Sequence, residues 1–271
     1  MNRSGYAQVP PEAAPGSPPR PREARGAVTL RRRSGWEAAD LGVLLWRTNW
    51  GPLLLFVGLP LALLSVTARL LPEGFSEAAR AAGWWLLPLA DRFALRVVSL
   101  RFFEPRSGYG RLFRGLGGCL KTGLLGDLLW RRFSPYRSAR MPVMILEKLK
   151  GGALRRRKRL LQGSGLGFGF LITAVCMVLK AALVLGENLF VYSMFEMARP
   201  GYYRDFNAFT ESGNPLCLAL GWFTVVLVET LYVCMGFALY INSRVETEGW
   251  DLEILFKNLS DKLSGGGNEG I

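Results

Sequence analysis

AAGWWLLPLADRFALRVVSLRFF, residues Ala81–Phe103, decides how often this chain crosses a membrane. At about 1.5 Å per helical residue it is long enough for the roughly 30 Å of a hydrocarbon core. It also carries Asp91, Arg92, Arg96 and Arg101. Each such charge costs about 2.5–3.5 kcal/mol at the centre of a span. On hydropathy alone the segment would lie in the interface. Its surroundings argue otherwise. From Glu104 to Gly163 the chain has 15 Lys/Arg against three acids, and its first 50 residues carry eight Arg. The positive-inside rule places both regions on the cytoplasmic side. Two crossings must separate them, so Ala81–Phe103 must be one.

The other spans are cleaner. Gly51–Leu71 is broken only by Pro52, Pro60 and Arg69. Gly165–Phe195 contains Lys180, and Leu216–Asn242 contains Glu229. The expected fold is all-α: a polytopic membrane helix bundle of about four transmembrane helices plus amphipathic interfacial helices. Both termini are expected in the cytoplasm, with short outer loops near residues 72–80 and 196–214.

Composition fits this picture. Half of the 271 residues are hydrophobic, and 34 Lys+Arg stand against 21 Asp+Glu, a net charge of +13. The apolar residues gather in long runs and the charges lie between them. A basic chain can also bind nucleic acid, but no basic-aromatic module is present and the apolar runs need a home. The chain has no His. That removes imidazole bases, Ser-His and Cys-His pairs and His-ligated metal. Cys119, Cys176, Cys217 and Cys234 are scattered, with neither disulfide nor zinc spacing. No catalytic group, metal site or cofactor is expected.

Residues 1–32 are rich in Pro, Ala, Gly and Arg and are read as a disordered tail. No signal peptide is expected, since the first long apolar run begins only near Gly51. Ser34-Gly35-Trp36-Glu37 has capping-box spacing, so residues 33–50 are read as an interfacial helix with Trp36, Trp46 and Trp50 at the headgroups. Residues 51–103 form the first hairpin and 104–163 the basic loop. Within that loop Leu112, Leu116, Leu120, Leu124 and Leu128 recur every four residues, which predicts an amphipathic helix lying on the surface. The glycines among them weaken it by about 1 kcal/mol each relative to Ala. Arg155, Arg156, Arg157, Lys158 and Arg159 form a cluster suited to anionic headgroups or to anchoring the topology. Residues 164–242 form the second hairpin. At its start Gly163, Gly165, Gly167 and Gly169 give two overlapping G-x-x-x-G frames, either a helix contact or a flexible junction.

Two acids and two bases stand out within the spans: Asp91, Arg92, Lys180 and Glu229. Lys180 and Glu229 fall at similar depth, about 20 Å from the outer boundary at 1.5 Å per residue, so they can pair between the last two helices. Ionisable groups in lipid face one another or a watery cavity. The four form either a neutral cluster that fixes helix pairing or part of an ion path.

Residues 243–271 complete the chain with an acidic exit segment, Arg244, Glu246, Glu248, Gly249, Trp250, Asp251 and Glu253, and a tail. Gly249 is a natural helix break, and Leu252, Leu255, Phe256, Leu259 and Leu263 follow helical spacing beyond it. Carboxylates at the cytoplasmic face are repelled by anionic lipid. They are expected to dock on loop cations such as Arg131-Arg132 or Arg155–Arg159.

WEAADLG (Trp36–Gly42), WWLLPLADRFAL (Trp84–Leu95), RRFSPYRSARMPVMILEKLKGGALRRRKRLL (Arg131–Leu161) and VETLYVCMGFALYINSRVETEGWDLEILF (Val228–Phe256) together resemble a family of uncharacterised bacterial inner-membrane proteins. That family carries W-E-A-x-D-L-G, W-x-x-P-L-x-[DE]-R, R-S-x-x-x-P-V-x-x-L-E and an exit box ending E-G-W-D-x-E. The resemblance covers most of residues 34–256. It implies a multi-pass protein of the bacterial inner membrane with an envelope-associated assembly role, since such genes often lie beside those of transglutaminase-like and AAA+ ATPase membrane systems. The last box is also similar to the exit of the membrane domain attached to some glycerophosphodiester phosphodiesterases. Their catalytic domain uses His, which this chain lacks, so no activity transfers. The family often has Pro after the Glu of the last span; Thr230 stands here, which leaves the kink open. The expected function is a non-enzymatic scaffold or subunit of a membrane complex, with protein partners and anionic lipids but no nucleic acid. The alternative is a transporter or channel component using Lys180 and Glu229.

Overall fold

Ser34 starts the first helix. Its Oγ accepts the Glu37 backbone N–H at 3.2 Å, and α1 (Gly35–Thr48) runs from that cap. Asn49 closes the helix, its side-chain amide donating to the Leu45 carbonyl at 2.8 Å. The chain is helical again at once: α2 (Trp50–Leu53), a π-helical turn (Leu54–Gly58) and α3 (Leu59–Leu70) form one continuous run. Pro60 explains the wide turn. Proline has no N–H to give to the carbonyl four residues back and its ring crowds it. The π turn absorbs that misfit, with the Leu59 N–H donating to Leu54 O, five residues back.

The remaining helices are α4 (Glu73–Phe103), α5 (Tyr109–Leu120), α6 (Leu124–Leu129), α7 (Arg137–Leu146), α8 (Gly151–Leu161), α9 (Phe168–Ala198), α10 (Phe206–Glu211) and α11 (Pro215–Glu248). This computed structural model describes residues 32–70, 73–105, 107–120, 124–129, 134–147, 149, 151–161, 168–211 and 214–248. All regular structure among them is helical.

The protein is an all-α helix bundle, and α11 is its axis. From Val228 to Val245 α11 is buried on nearly every side, as expected of a helix apolar all round. Helices α1, α4, α7 and α9 sheath it. Glycine sets the closest approaches. A Cβ at Gly42 of α1 would lie 2.5 Å from the Met235 Cα, and one at Gly236 would lie 2.5 Å from the Ser138 carbonyl oxygen of α7. Pro142 cannot donate to that carbonyl, which leaves it facing α11.

Among the described residues, three helical runs are long and apolar enough to cross a membrane: Trp50–Thr67, Phe168–Ala198 and Pro215–Glu248. Helix α4 has 31 residues, the required length, but too many charges for that apolar criterion. Its first half exposes Trp84, Trp85 and Leu86, and its second half, from Ala90 to Phe102, packs into the core.

Several expectations need correcting. Residues 73–80 are not a loop, because α4 already begins at Glu73. The leucine repeat is not one surface helix. It is divided between α5 and α6, with Leu112 fully buried and α5 docked on α4. Within the basic segment, α7 buries Ser138, Ala139 and Met141 through Ile145 between α11, α9 and α4. Helix α1 lies against α11 through Ala38, Leu41, Gly42 and Leu45, while Trp36 and Leu44 stay exposed.

Candidate functional site

Among the described residues, three groups of polar and charged side chains tie the helices of the bundle together. The first joins α4 to the basic segment. Arg92 is fully buried, and its Nε and Nη2 donate to Asp127 Oδ2 of α6 at 3.1 and 2.5 Å. Asp91, beside it, forms an ion pair with Arg137 at the start of α7. Two adjacent residues of opposite charge thereby reach two different helices. Asp91, Arg92, Lys180 and Glu229 are therefore not one cluster, since the α4 charges pair into the basic segment. A buried pair of this kind adds little net stability, but removing one partner leaves a stranded charge and costs about 3–5 kcal/mol.

The second group lines the seam between α9 and α11. Lys180 Nζ donates to Glu229 Oε1. One or two turns towards α7, the Thr173 and Tyr232 hydroxyls are 3.1 Å apart. Tyr232 also accepts the Ser138 backbone N–H at 3.2 Å, which fixes the start of α7. Thr173 donates to Pro135 O at 2.5 Å and to Gly169 O at 2.8 Å. At the other end Thr224 Oγ1 donates to Glu187 Oε2 at 2.8 Å. On the opposite side of α11 the Trp46 indole N–H donates to Thr230 Oγ1 at 2.9 Å, while the same hydroxyl donates to Val226 O at 2.6 Å. Trp46 is thus satisfied inside the protein rather than at a headgroup.

The third group closes a ring at the end of α11. Glu147, just past α7, accepts from Arg157 Nε at 2.8 Å and from the Tyr240 hydroxyl at 2.9 Å. Arg157 also reaches Glu248, which Arg244 grips through Nε and Nη2 at 3.1 and 2.5 Å. Arg244 Nη1 completes the ring on the Tyr240 hydroxyl at 3.4 Å. Burial opposes the charge on Arg157, but its hydrogen bonds to Glu147 and Glu248 outweigh this and raise its pKa. Five side chains from three parts of the chain are interlocked.

This ring divides the expected cationic cluster. Arg157 turns inward and Leu154 is buried with it, whereas Arg155, Arg156 and Arg159 are exposed. The Lys158 side chain lies outside the described residues. In the exit segment Arg244 and Glu248 sit in the ring, and Glu246 accepts from Asn242 Nδ2 at 3.4 Å. Asn242 in turn pairs with the Arg33 backbone, taking its N–H at 2.8 Å and donating to its carbonyl at 2.9 Å. Gly249, Trp250, Asp251 and Glu253 lie outside the described residues, as do Arg131, Arg132 and three of the four glycines of the G-x-x-x-G frames. Gly169 is described, and a Cβ there would lie 3.2 Å from the Ala139 Cβ.

Asp127, Arg137, Glu147, Tyr240 and Glu187 escaped the reading of the sequence. The first three belong to the basic segment and looked solvated. Tyr240 looked like one more aromatic residue of a span. Glu187 was visible as a carboxylate within an apolar run, the signal that singled out Glu229. No group of three or more His, Cys, Asp or Glu capable of holding a metal occurs among the described residues. Compared with known proteins, the chain matches no family model, no curated protein and no solved structure. The fold and its apolar helices place it in the class of helical membrane proteins.

Proposed function

We propose that this is a multi-pass protein of the bacterial inner membrane, non-enzymatic, that acts as a scaffold or subunit of an envelope-associated complex. Both termini and the basic segment lie in the cytoplasm, and α4 crosses as a fourth span. One observation carries the scaffold reading. Helix α8 is held by buried Leu154 and by the Arg157 bridge to Glu147 and Glu248, so that Arg155, Arg156 and Arg159 face outward from a fixed base. A rigid cationic helix beside the end of a span suits anionic headgroups, at about 1 kcal/mol per cation near the surface. It equally suits an acidic partner subunit. Purification in mild detergent tests this: a stable stoichiometric partner is expected, and loss of that partner when the three arginines are changed to Glu. Reporter fusions at residues 75, 140, 205 and 271 test the topology, and an external residue 140 would refute it.

The Lys180–Glu229 pair favours a second reading, a transporter or channel component. That reading requires Glu229→Gln to abolish flux in vesicles while assembly survives. The scaffold reading requires no flux from either form.

A further inference from the structure

Glu187 is the one carboxylate of the α9–α11 seam whose pairing differs in kind from that of Glu229. Where Glu229 receives Lys180, Glu187 receives a neutral hydroxyl, Thr224 Oγ1 at 2.8 Å on Oε2. Its second oxygen, Oε1, is buried without a hydrogen-bond partner. Gly221 makes the room for it, since a Cβ there would lie 3.3 Å from Oε1. The titratable group of α11 near it is Cys217, a neutral thiol. On its own helix Lys180 lies two turns away and is engaged by Glu229. Among the described residues no charged side chain of α10 or α11 interacts with it. A carboxylate taken out of water with no cation beside it favours its neutral form. Oε2 accepts from Thr224, and Oε1 is the oxygen open to protonation.

We propose that Glu187, set between Gly221 and Thr224, is a proton-binding site within the membrane. This rests on α9 and α11 being spans and is independent of the scaffold reading. A proton rather than a metal ion is the ligand proposed, because no group of three or more His, Cys, Asp or Glu that could hold a metal occurs among the described residues.

The test uses the full chain in phospholipid vesicles, treated with dicyclohexylcarbodiimide and read by peptide mass spectrometry. A protonated carboxyl adds through oxygen to the central carbon of the reagent, its proton passing to a reagent nitrogen, and the adduct rearranges to a stable N-acylurea without a leaving group. Adduct is expected at Glu187, falling as the pH is raised and absent from Glu187→Gln. In Thr224→Val the ionised form loses its donor, so adduct persists to higher pH. Absence of adduct at Glu187 at every pH, or a yield independent of pH, overturns the proposal. Protection by sodium at fixed pH also overturns it, in favour of a metal-ion site. Modification of Glu187 only by a water-soluble carbodiimide shows instead that α9 is not in the membrane.

Discussion

Gly236 and Ser138 bring two helix backbones into direct contact. A side chain at Gly236 would meet the Ser138 carbonyl oxygen at 2.5 Å, and that atom belongs to main chain that Tyr232, one turn away on the same helix, already holds against α11. The obstacle is therefore not a flexible side chain that can step aside. Gly236→Ala is expected to destabilise the protein by about 1–3 kcal/mol as an overpacked contact. Thermal unfolding in detergent measures this, and Gly186→Ala, which meets open space, serves as the control. An unchanged unfolding temperature in Gly236→Ala would remove α7 from its place against α11.

Arg92 and Asp127 make a second prediction. Arg92→Met leaves Asp127 buried without its arginine and is expected to cost about 3–5 kcal/mol. Adding Asp127→Leu removes the stranded charge and restores much of the loss. Protease sensitivity of the basic segment reports both steps. A double variant no better than the single one would mean that the pair does not act as a unit.

The ring at the end of α11 predicts coupling across distant parts of the sequence. Arg157 and Glu248 are 91 residues apart and share a hydrogen bond. A double-mutant cycle with Arg157→Gln and Glu248→Gln is expected to give an interaction free energy of about 0.5–3 kcal/mol. Additive effects would show that α8 is not fastened to α11.

The Thr230 hydroxyl serves two helices at once. It accepts the Trp46 indole N–H while donating to Val226 O. Thr230→Val keeps the shape and removes the acceptor, at a cost of about 1 kcal/mol or somewhat more. A shift in the emission of Trp46, isolated by replacing the other tryptophans with Phe, should accompany it.

The apolar runs around residues 51–71, 165–195 and 216–242 could be read directly, because length and hydropathy are local properties. The Ser34 cap could be read for the same reason. Depth made the Lys180–Glu229 contact possible, since both helices are long enough to cross a bilayer. The place of α7 could not be seen. Its apolar stretch is too short to stand out as a span, and the arginines on either side made the whole segment look solvated. Asp91 and Arg92 looked like charges to be excused for the same reason: their partners, Arg137 and Asp127, lay in a segment already assigned to water. The glycines that matter, Gly42 and Gly236, are single residues inside helices and make no repeat. The regular G-x-x-x-G frames drew attention to a different place.

The hold of Asn242 on the Arg33 backbone reaches beyond that one link. Glu248 lies six residues further along the same helix, about 9 Å at 1.5 Å per residue. Arg33 and Glu248 therefore lie close together at one end of the bundle. Two groups attached at these two positions, 215 residues apart in the chain, would meet at a high effective concentration.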